Sequence, residues 1–140
     1  MSKVFFHYAD RKLNIPNKRN IQQFVEQIFK KEKKQLNHID YIFCSDDYLL
    51  NININHLQHD YYTDIITFEL SSTNKTEAEI YISLDRVKEN AQQLNEPFNK
   101  EVLRVIFHGA LHLCGYKDKT KKDAELMRQM ENRYLAFYLK

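Results

Sequence analysis

The chain has 140 residues, of which 43% are apolar, and it carries a net charge of +2 at neutral pH. This length and composition fit one globular domain, residues 1–140, whose core needs no disulfide bonds for stability. The net charge is too small to indicate a nucleic-acid-binding protein by itself, and no run of about 18 apolar residues predicts a membrane span.

The two cysteines lie far apart in the chain, at Cys44 and Cys114, and lack the spacing of a disulfide framework. We therefore expect a reducing compartment. The first residues, MSKVFFHYADRK, lack the apolar run of a signal peptide. Together these features predict a soluble, cytoplasmic protein.

Short β-branched and aromatic runs predict strands, and periodic apolar positions predict helices. The predicted strands are KVFFHY near the start, residues 39–44, residues 64–70 and residues 79–84, the last two joined by the polar stretch SSTNKT. Helices are predicted after Asn17, from Ser83 to about Asn95, from Asn99 to near Gly115, and after Thr120 and Asp123, the last lined by Met127, Met130, Tyr134 and Phe137. We predict a single α+β domain with a small mixed sheet of about four strands and about five helices, and a metal site at the C-terminal end of a central helix.

Two lysine-rich runs punctuate the chain, KKEKK at 30–34 and KDKTKK at 117–122. For the first run we favour a solvated helix end, where lysines complement the helix dipole. The second run directly follows the part of the sequence with the strongest functional signal.

That part is EVLRVIFHGALHLC, residues 101–114, which is apolar except at Glu101, Arg104, His108 and His112. Spacings of three and four residues place these side chains on one stripe of a helix. Histidines at positions i and i+4 lie close enough to share a metal ion, although this pair alone is a weak signal.

The continuation strengthens the signal because Gly115 can end the helix and return the chain across its end. Asp118 then supplies a third ligand beside His108 and His112, which leaves one tetrahedral position of a zinc ion open, as in catalytic sites. Gly109 would let another segment or a substrate approach the helix backbone. Both glycines of the chain therefore serve this predicted site.

These residues resemble the bacterial YbeY endoribonucleases, whose pattern is H-G-x-L-H-L-x-G-Y-D-H. HGALHLCGYKD at 108–118 matches at seven positions, HDYYTDIITF at 59–68 resembles a second family segment and EIYIS at 79–83 a third. Asp118 stands where the family has its third histidine, and Lys117 where it has aspartate. A carboxylate ligand lowers the positive charge of the site and raises the pKa of a metal-bound water.

The resemblance implies a single-strand-specific, zinc-dependent endoribonuclease that acts in 3′-end maturation of 16S ribosomal RNA and in ribosome quality control. Its expected partners are single-stranded ribosomal RNA and the small ribosomal subunit or ribosome-associated proteins. We expect Arg104, His108 and His112 to act in catalysis and one Zn²⁺ ion, or another divalent transition metal, to bind His108, His112 and Asp118. The residues expected to hold RNA are Arg104, Lys117, Lys119, Lys121 and Lys122.

Three alternatives stay open at this point. Arg104 can instead form an ion pair with Glu101 or with an acidic residue of the sheet. The protein can be a non-catalytic ribosome-assembly factor with a structural metal, in which case Cys114 is a candidate fourth ligand. A peptidase-like zinc hydrolase is a weaker fit, because Gly109 occupies the place of the catalytic glutamate in the HExxH motif.

Overall fold

A computed structural model describes residues 2–57 and 62–140. The elements in chain order are β1 (Val4–Tyr8), α1 (Lys18–Lys31), β2 (Leu36–Cys44), α2 (Asp46–Leu57), β3 (Ile65–Glu69), β4 (Thr76–Ser83), α3 (Leu84–Leu94), α4 (Phe98–Leu113) and α5 (Lys121–Leu139). His59 and the first residues of the 59–68 segment lie outside the described residues. Among the described residues, no helix is long and apolar enough to cross a membrane.

The four strands form one mixed sheet in the order β1-β2-β4-β3. Strands β1, β2 and β4 are parallel, and β3 runs antiparallel to β4. The predicted α+β class, with a small mixed sheet and five helices, is therefore confirmed. Because connections between parallel strands need a crossover, α1 lies between β1 and β2 in the chain.

Helix α4 lies in the centre of the core, which explains its nearly continuous apolar sequence. Its buried side chains pack with Ile80 and Ile82 of β4, and Tyr41 of β2 donates a hydrogen bond to the carbonyl of Ile106 at 2.8 Å. A smaller cluster on the other face of the sheet joins Cys44 to Leu49 of α2. The sheet thus supports α4 on one face and α2 on the other.

The predicted caps are right for two helices and wrong for two. Ser83 accepts a hydrogen bond from the backbone of Arg86 at 3.1 Å, and Thr120 accepts one from Asp123 at 3.0 Å. Asn17 precedes α1 but has a φ of 62° and makes no side-chain cap. Helix α4 begins at Phe98 after Pro97 rather than at Asn99, because the proline fixes extended backbone just before the helix.

Two further details differ from the sequence interpretation. The predicted apolar face of α5 includes Phe137, which is 45% exposed, whereas Met127 and Tyr134 are buried as expected. Helix α2 is not among the helices that the sequence predicts, because its stretch NININ alternates with a period of two rather than following a helical period. Ser45 nevertheless caps α2 locally, since its hydroxyl accepts from the backbone of Tyr48 at 3.1 Å.

Acidic side chains secure the chain where the parallel strands end. The carboxylate of Asp85 accepts hydrogen bonds from the backbone N–H of Asp46 at 3.0 Å and from Arg11 at 3.1 Å. The bond from Asp46, followed by the one from Arg11 and the charge of Arg11, outweighs burial and lowers the pKa of Asp85. Asp85 therefore fixes the start of α2 against the start of α3.

We predict that Asp85→Asn lowers stability at neutral pH and that this difference shrinks in acid. A carboxyl group whose folded pKa is depressed stabilises the fold above its unfolded pKa of about 3.9, and this contribution is lost as pH falls through the folded pKa. Urea unfolding of both proteins at pH 7 and near pH 3 measures the effect. A stability difference that is equal at the two pH values would contradict the assigned role.

Candidate functional site

The polar stripe predicted on α4 faces α5 and the start of β3. Glu101 is buried, Arg104 and His108 are partly buried, and His112 at the helix end is exposed. The exposure of the stripe thus increases along α4, from Glu101 in the interior to His112 at the surface.

His108 has a carboxylate on each side of its ring. Its Nδ1 lies 2.6 Å from Glu131 Oε2 and its Nε2 lies 3.2 Å from Asp118 Oδ2. Burial lowers the pKa of His108, but the hydrogen bond to Glu131 and the charges of Glu131, Asp118 and Asp64 together raise it above its usual value. Because a carboxylate only accepts, Nδ1 is the donor to Glu131, and this bond directs Nε2 toward Asp118.

The turn after α4 brings Asp118 to this histidine as the sequence predicts. Cys114 ends the helix, and Gly115 takes a φ of +111°, a conformation that side chains disfavour. The backbone N–H of Tyr116 then bonds to the carbonyl of Leu111 at 3.1 Å, which closes the turn. Asp118 follows within reach of His108.

The turn is also held from a distant part of the chain. Glu32, at the end of α1, accepts hydrogen bonds from the hydroxyls of Tyr116 at 2.8 Å and of Tyr134 at 2.5 Å. Burial, with further contributions from Glu32, raises the pKa of Tyr116 to about 12. One carboxylate thus links α1, the turn that carries Asp118, and α5.

The predicted zinc ligands fit a metal ion in part. His108 Nε2 and Asp118 Oδ2 face each other, and Glu131 orients the imidazole from behind, as outer carboxylates do in metal sites. His112 is exposed one turn later, and the described residues contain no cluster of three or more metal-type donors. Binding would therefore require His112 to turn toward the His108–Asp118 pair, so the three-ligand set stays a prediction.

A pocket of about 550 Å³ opens beside His108. Four carboxylates line it, those of Asp64, Glu101, Asp118 and Glu131, whereas Arg104 and Arg128 are its cationic side chains among the described residues. Burial, the largest influence, raises the pKa of Asp64 and that of Glu101. This excess of acidic groups favours a cation over a bare phosphate.

Sequence reasoning missed Asp64 and Glu131. Asp64 precedes β3, where its carbonyl accepts from the backbone of Ser83 at 2.9 Å, and its position in the TDIITF segment was the available signal. Glu131 comes from the middle of α5, where an isolated glutamate resembles any solvent-facing residue. Only the packing of α5 on α4 shows that it is 6% exposed.

Arg104 pairs with Glu101, one of the alternatives that the sequence left open, but its other acidic partner is Glu131 of α5 rather than a residue of the sheet. Its guanidinium contacts Glu131 at 3.2 Å, Asn132 at 2.8 Å and Glu101 at 3.5 Å, and its side chain is only 11% exposed. Glu101 Oε1 lies near this guanidinium but has no well-oriented hydrogen bond. The geometry therefore supports a role for Arg104 in orienting Glu131, and its contact with phosphate stays a prediction.

Gly109 lies where the sheet approaches α4 closely. A Cβ atom at this position would lie 3.0 Å from Ile80 and 3.1 Å from Ile65. The expected close approach of another segment is thus made by strands β3 and β4. A larger side chain here would require Ile80 and Ile65 to shift, and the glycine leaves the chain without the glutamate of an HExxH-type peptidase.

The remaining candidates lie around the pocket rather than in it. Cys114 is a free thiol that lines a different cavity from His108 and Asp118, and burial raises its pKa to about 12. The predicted RNA-binding lysines are all exposed on the turn after α4 and at the start of α5: Lys117, Lys119, Lys121 and Lys122. No ion pair links them to other described residues.

These features define an α+β protein with a histidine and four carboxylates around a pocket beside its central helix. The sequence model described as Endoribonuclease YbeY matches residues 6–138. The chain belongs to the endoribonuclease YbeY family.

Relatives of this family align over nearly their whole length. The Endoribonuclease YbeY of Cytophaga hutchinsonii is 47% identical over 134 residues, covering 95% of this chain and 94% of that protein. The one from Christiangramia forsetii is 42% identical, covering 96% and 92%. The solution structure of TM1509 from Thermotoga maritima superposes with a TM-score of 0.66 at 30% identity, covering 96% of this chain and 88% of that one.

The hydrogen bonds that Glu32 accepts from Tyr116 and Tyr134 allow a prediction about stability. Tyr134→Phe removes one donor to a partly buried carboxylate and should destabilise the protein by about 1.5–3 kcal/mol, since hydrogen bonds to charged groups contribute about this much. Tyr138→Phe is the matched control, because its hydroxyl makes no hydrogen bond to the described residues that would be lost. Chemical unfolding measures both. Equal losses in the two variants would show that the bond to Glu32 contributes little.

Proposed function

We propose that this chain is a metal-dependent endoribonuclease that cuts single-stranded RNA. The observation that carries the proposal is the orientation of His108, whose Nε2 Glu131 directs toward Asp118, in a chain of the endoribonuclease YbeY family. The proposal includes zinc as the metal, 3′-end maturation of 16S ribosomal RNA, ribosome quality control and a cytoplasmic location. Single-stranded ribosomal RNA and the small subunit are its proposed partners.

His108, His112 and Asp118 would hold the ion. When bound, zinc supplies Lewis-acid polarisation of a phosphoryl oxygen and lowers the pKa of bound water. The excess of carboxylates in the pocket supports a requirement for a cation, because those groups alone repel an RNA phosphate. The chemistry of the donors, an imidazole and a carboxylate, suits zinc.

The chain's own residues prepare this site. Glu131 accepts from Nδ1 of His108 and so directs Nε2 toward Asp118, where it would bind the ion in its deprotonated form. Arg104 in turn neutralises part of the charge of Glu131 and fixes its carboxylate. Asp64, whose pKa is raised mainly by burial, is a candidate to carry a proton in the pocket. The lysines after α4 attract the RNA backbone toward the opening.

A non-catalytic assembly factor is the second candidate. It is favoured by the occupied guanidinium of Arg104, which has three acceptors within the protein and is largely covered. If Arg104 serves only structure, the half-exposed Arg128 is the remaining arginine of the described lining that could meet developing negative charge. Metal-loaded protein that binds RNA and never cuts it would establish this reading.

We expect His108→Ala and Asp118→Ala to lose zinc from protein purified without a histidine tag. Each variant removes one of the predicted ligands, whereas the exposed His7 is the matched control and His7→Ala should keep full zinc content. Glu131→Gln keeps all ligands and should weaken zinc binding by about 10–100-fold, as outer-shell changes do. Elemental analysis and chelator competition provide the measurements. Full zinc content in Asp118→Ala would exclude Asp118 as a ligand.

Cleavage of single-stranded and duplex RNA by the wild type tests the proposed activity itself. We expect the wild type to cut single-stranded RNA and His108→Ala not to cut it. Residual cleavage in that variant would come from a contaminating nuclease. Arg104→Lys should lower the single-strand rate by about 10²-fold or more with zinc retained, if the guanidinium also stabilises developing charge. Arg133→Ala on the exposed face of α5 is the control and should cut normally. Unchanged cleavage in Arg104→Lys would leave that arginine with a structural role.

A further inference from the structure

A second groove lies at the end of the sheet where the parallel strands begin, and the pocket lies at the other end. The groove has a volume of about 680 Å³ and lies between the second half of α1, the start of β2 and the residue before β4. We name it the lysine groove after four side chains in its wall: Lys3, Lys30, Lys34 and Lys75. Its described lining includes a single acidic residue, Glu26.

The charges of this groove are free to bind a ligand. All four lysines are exposed, and no ion pair connects them to another described residue. The carboxylate of Glu26 lies 3.4 Å from the backbone N–H of Lys3, which occupies part of its accepting capacity. The groove thus has a net charge of about +3 in a chain whose total charge is +2.

A solvated helix end explains only part of this arrangement. Lys30 lies in the last turn of α1, where the helix dipole favours a cation. Lys3 and Lys75, however, reach the groove from the start of β1 and from the β3–β4 turn. Three separate parts of the chain therefore bring cations to one surface, which a local helix effect does not require.

The backbone at the end of α1 also turns lysines toward the groove. Lys33 has a φ of 60°, a conformation that costs about 1 kcal/mol or more outside glycine. This turn lets the backbone N–H of Lys34 bond to the carbonyl of Phe29 at 2.9 Å, which returns Lys34 to the groove. The KKEKK run at 30–34 is thereby divided between groove and solvent.

The remaining lining indicates what kind of ligand fits. The amide side chains of Gln23, Gln27 and Gln35 offer neutral donors and acceptors. Phe29, the aromatic residue of the described lining, is 1% exposed and offers no face for stacking a base. Such a surface suits phosphates and ribose hydroxyls rather than bases.

The distance between the two surfaces requires an extended ligand. The groove lies near the first residues of the parallel strands, and the pocket lies near their last residues. Strand β4, which runs between these two ends of the sheet, has 8 residues. Strands rise about 3.3 Å per residue, so the surfaces are separated by roughly 25 Å. A long RNA can contact both, whereas a short oligonucleotide reaches one.

We propose that the lysine groove is a second RNA-binding site, which holds the sugar–phosphate backbone of nucleotides remote from the bond that is cut. This inference rests on the proposed RNA substrate and extends it. The groove contributes affinity for long RNA without reading its sequence. It leaves the chemistry at His108 unchanged.

The test compares two triple variants that lose the same charge. Lys30, Lys34 and Lys75 are changed to Gln in one, and the exposed Lys12, Lys88 and Lys140 are changed to Gln in the control. Fluorescence anisotropy measures binding of single-stranded RNAs of about 6 and about 20 nucleotides over a range of salt concentrations. Both triple variants also carry His108→Ala so that cleavage does not interfere.

For the longer RNA we expect the groove variant to bind at least tenfold more weakly than the control at low salt. Its slope of log affinity against log salt should be smaller by about 2, because each lost phosphate contact removes about 0.7. Cleavage of the short RNA should differ little between the variants when His108 is restored, because a short RNA that is being cut contacts the pocket and cannot reach the groove. Photocrosslinking should join the long RNA to peptides that contain Lys30 or Lys75.

Equal slopes and affinities for the long RNA in the two triple variants would overturn the inference and leave the groove to an acidic partner other than RNA. Failure of the proposed nuclease function has a different signature. In that case no RNA is cut by any protein, yet the groove variant still differs from its control in binding long RNA.

Discussion

Glu131 makes the contact on which the functional surface depends. Its carboxylate lies between the imidazole of His108 and the guanidinium of Arg104, and it is 6% exposed. A buried carboxylate is stable only when its charge is compensated, so α5 docks on α4 with these partners in place. Loss of one partner would leave the others with uncompensated charge. The orientation of His108 is therefore a property of the α4–α5 contact rather than of α4 alone.

The same contact between α4 and α5 explains why a polyanion would be attracted at the rim of the pocket and repelled at its floor. Arg104 faces inward, toward the carboxylates it neutralises, whereas the exposed lysines of the chain lie on surfaces away from the pocket floor. A polyanion would be attracted to the rim and the far groove and repelled at the floor. A cation bound beside His108 would reverse that last effect. Different parts of the surface would thus attract the polyanion and decide whether it can enter the pocket.

Much of the fold could be predicted from local sequence, because strands, the periodic helices and two caps leave local patterns. Ser83 and Thr120 are examples, since each caps a helix whose amide lies three residues away. The stripe on α4 and the turn to Asp118 followed from spacing in the same way. These features depend on residues that are close in the chain.

The rest depends on residues that are distant in the chain. Glu131 and Asp64 join the site only through packing, and the hold of Asp85 on the start of α2 spans 39 positions. The function of Gly109 is set by Ile80 and Ile65, which no pattern around the glycine reveals. Periodicity gives the face of an element, but it does not identify the element against which that face packs.

The junction at Glu32 has a consequence for the order in which the molecule assembles. Glu32 is separated by 84 positions from Tyr116 and by 102 from Tyr134, so these bonds close only after α1, α4 and α5 have come together. Contacts of such long range form late, because the entropy of closing the intervening loop must be lost first. The segment that carries Asp118 would therefore become protected from hydrogen exchange among the last parts of the chain. A nascent or partly unfolded chain would therefore carry the histidines without Asp118 held beside them.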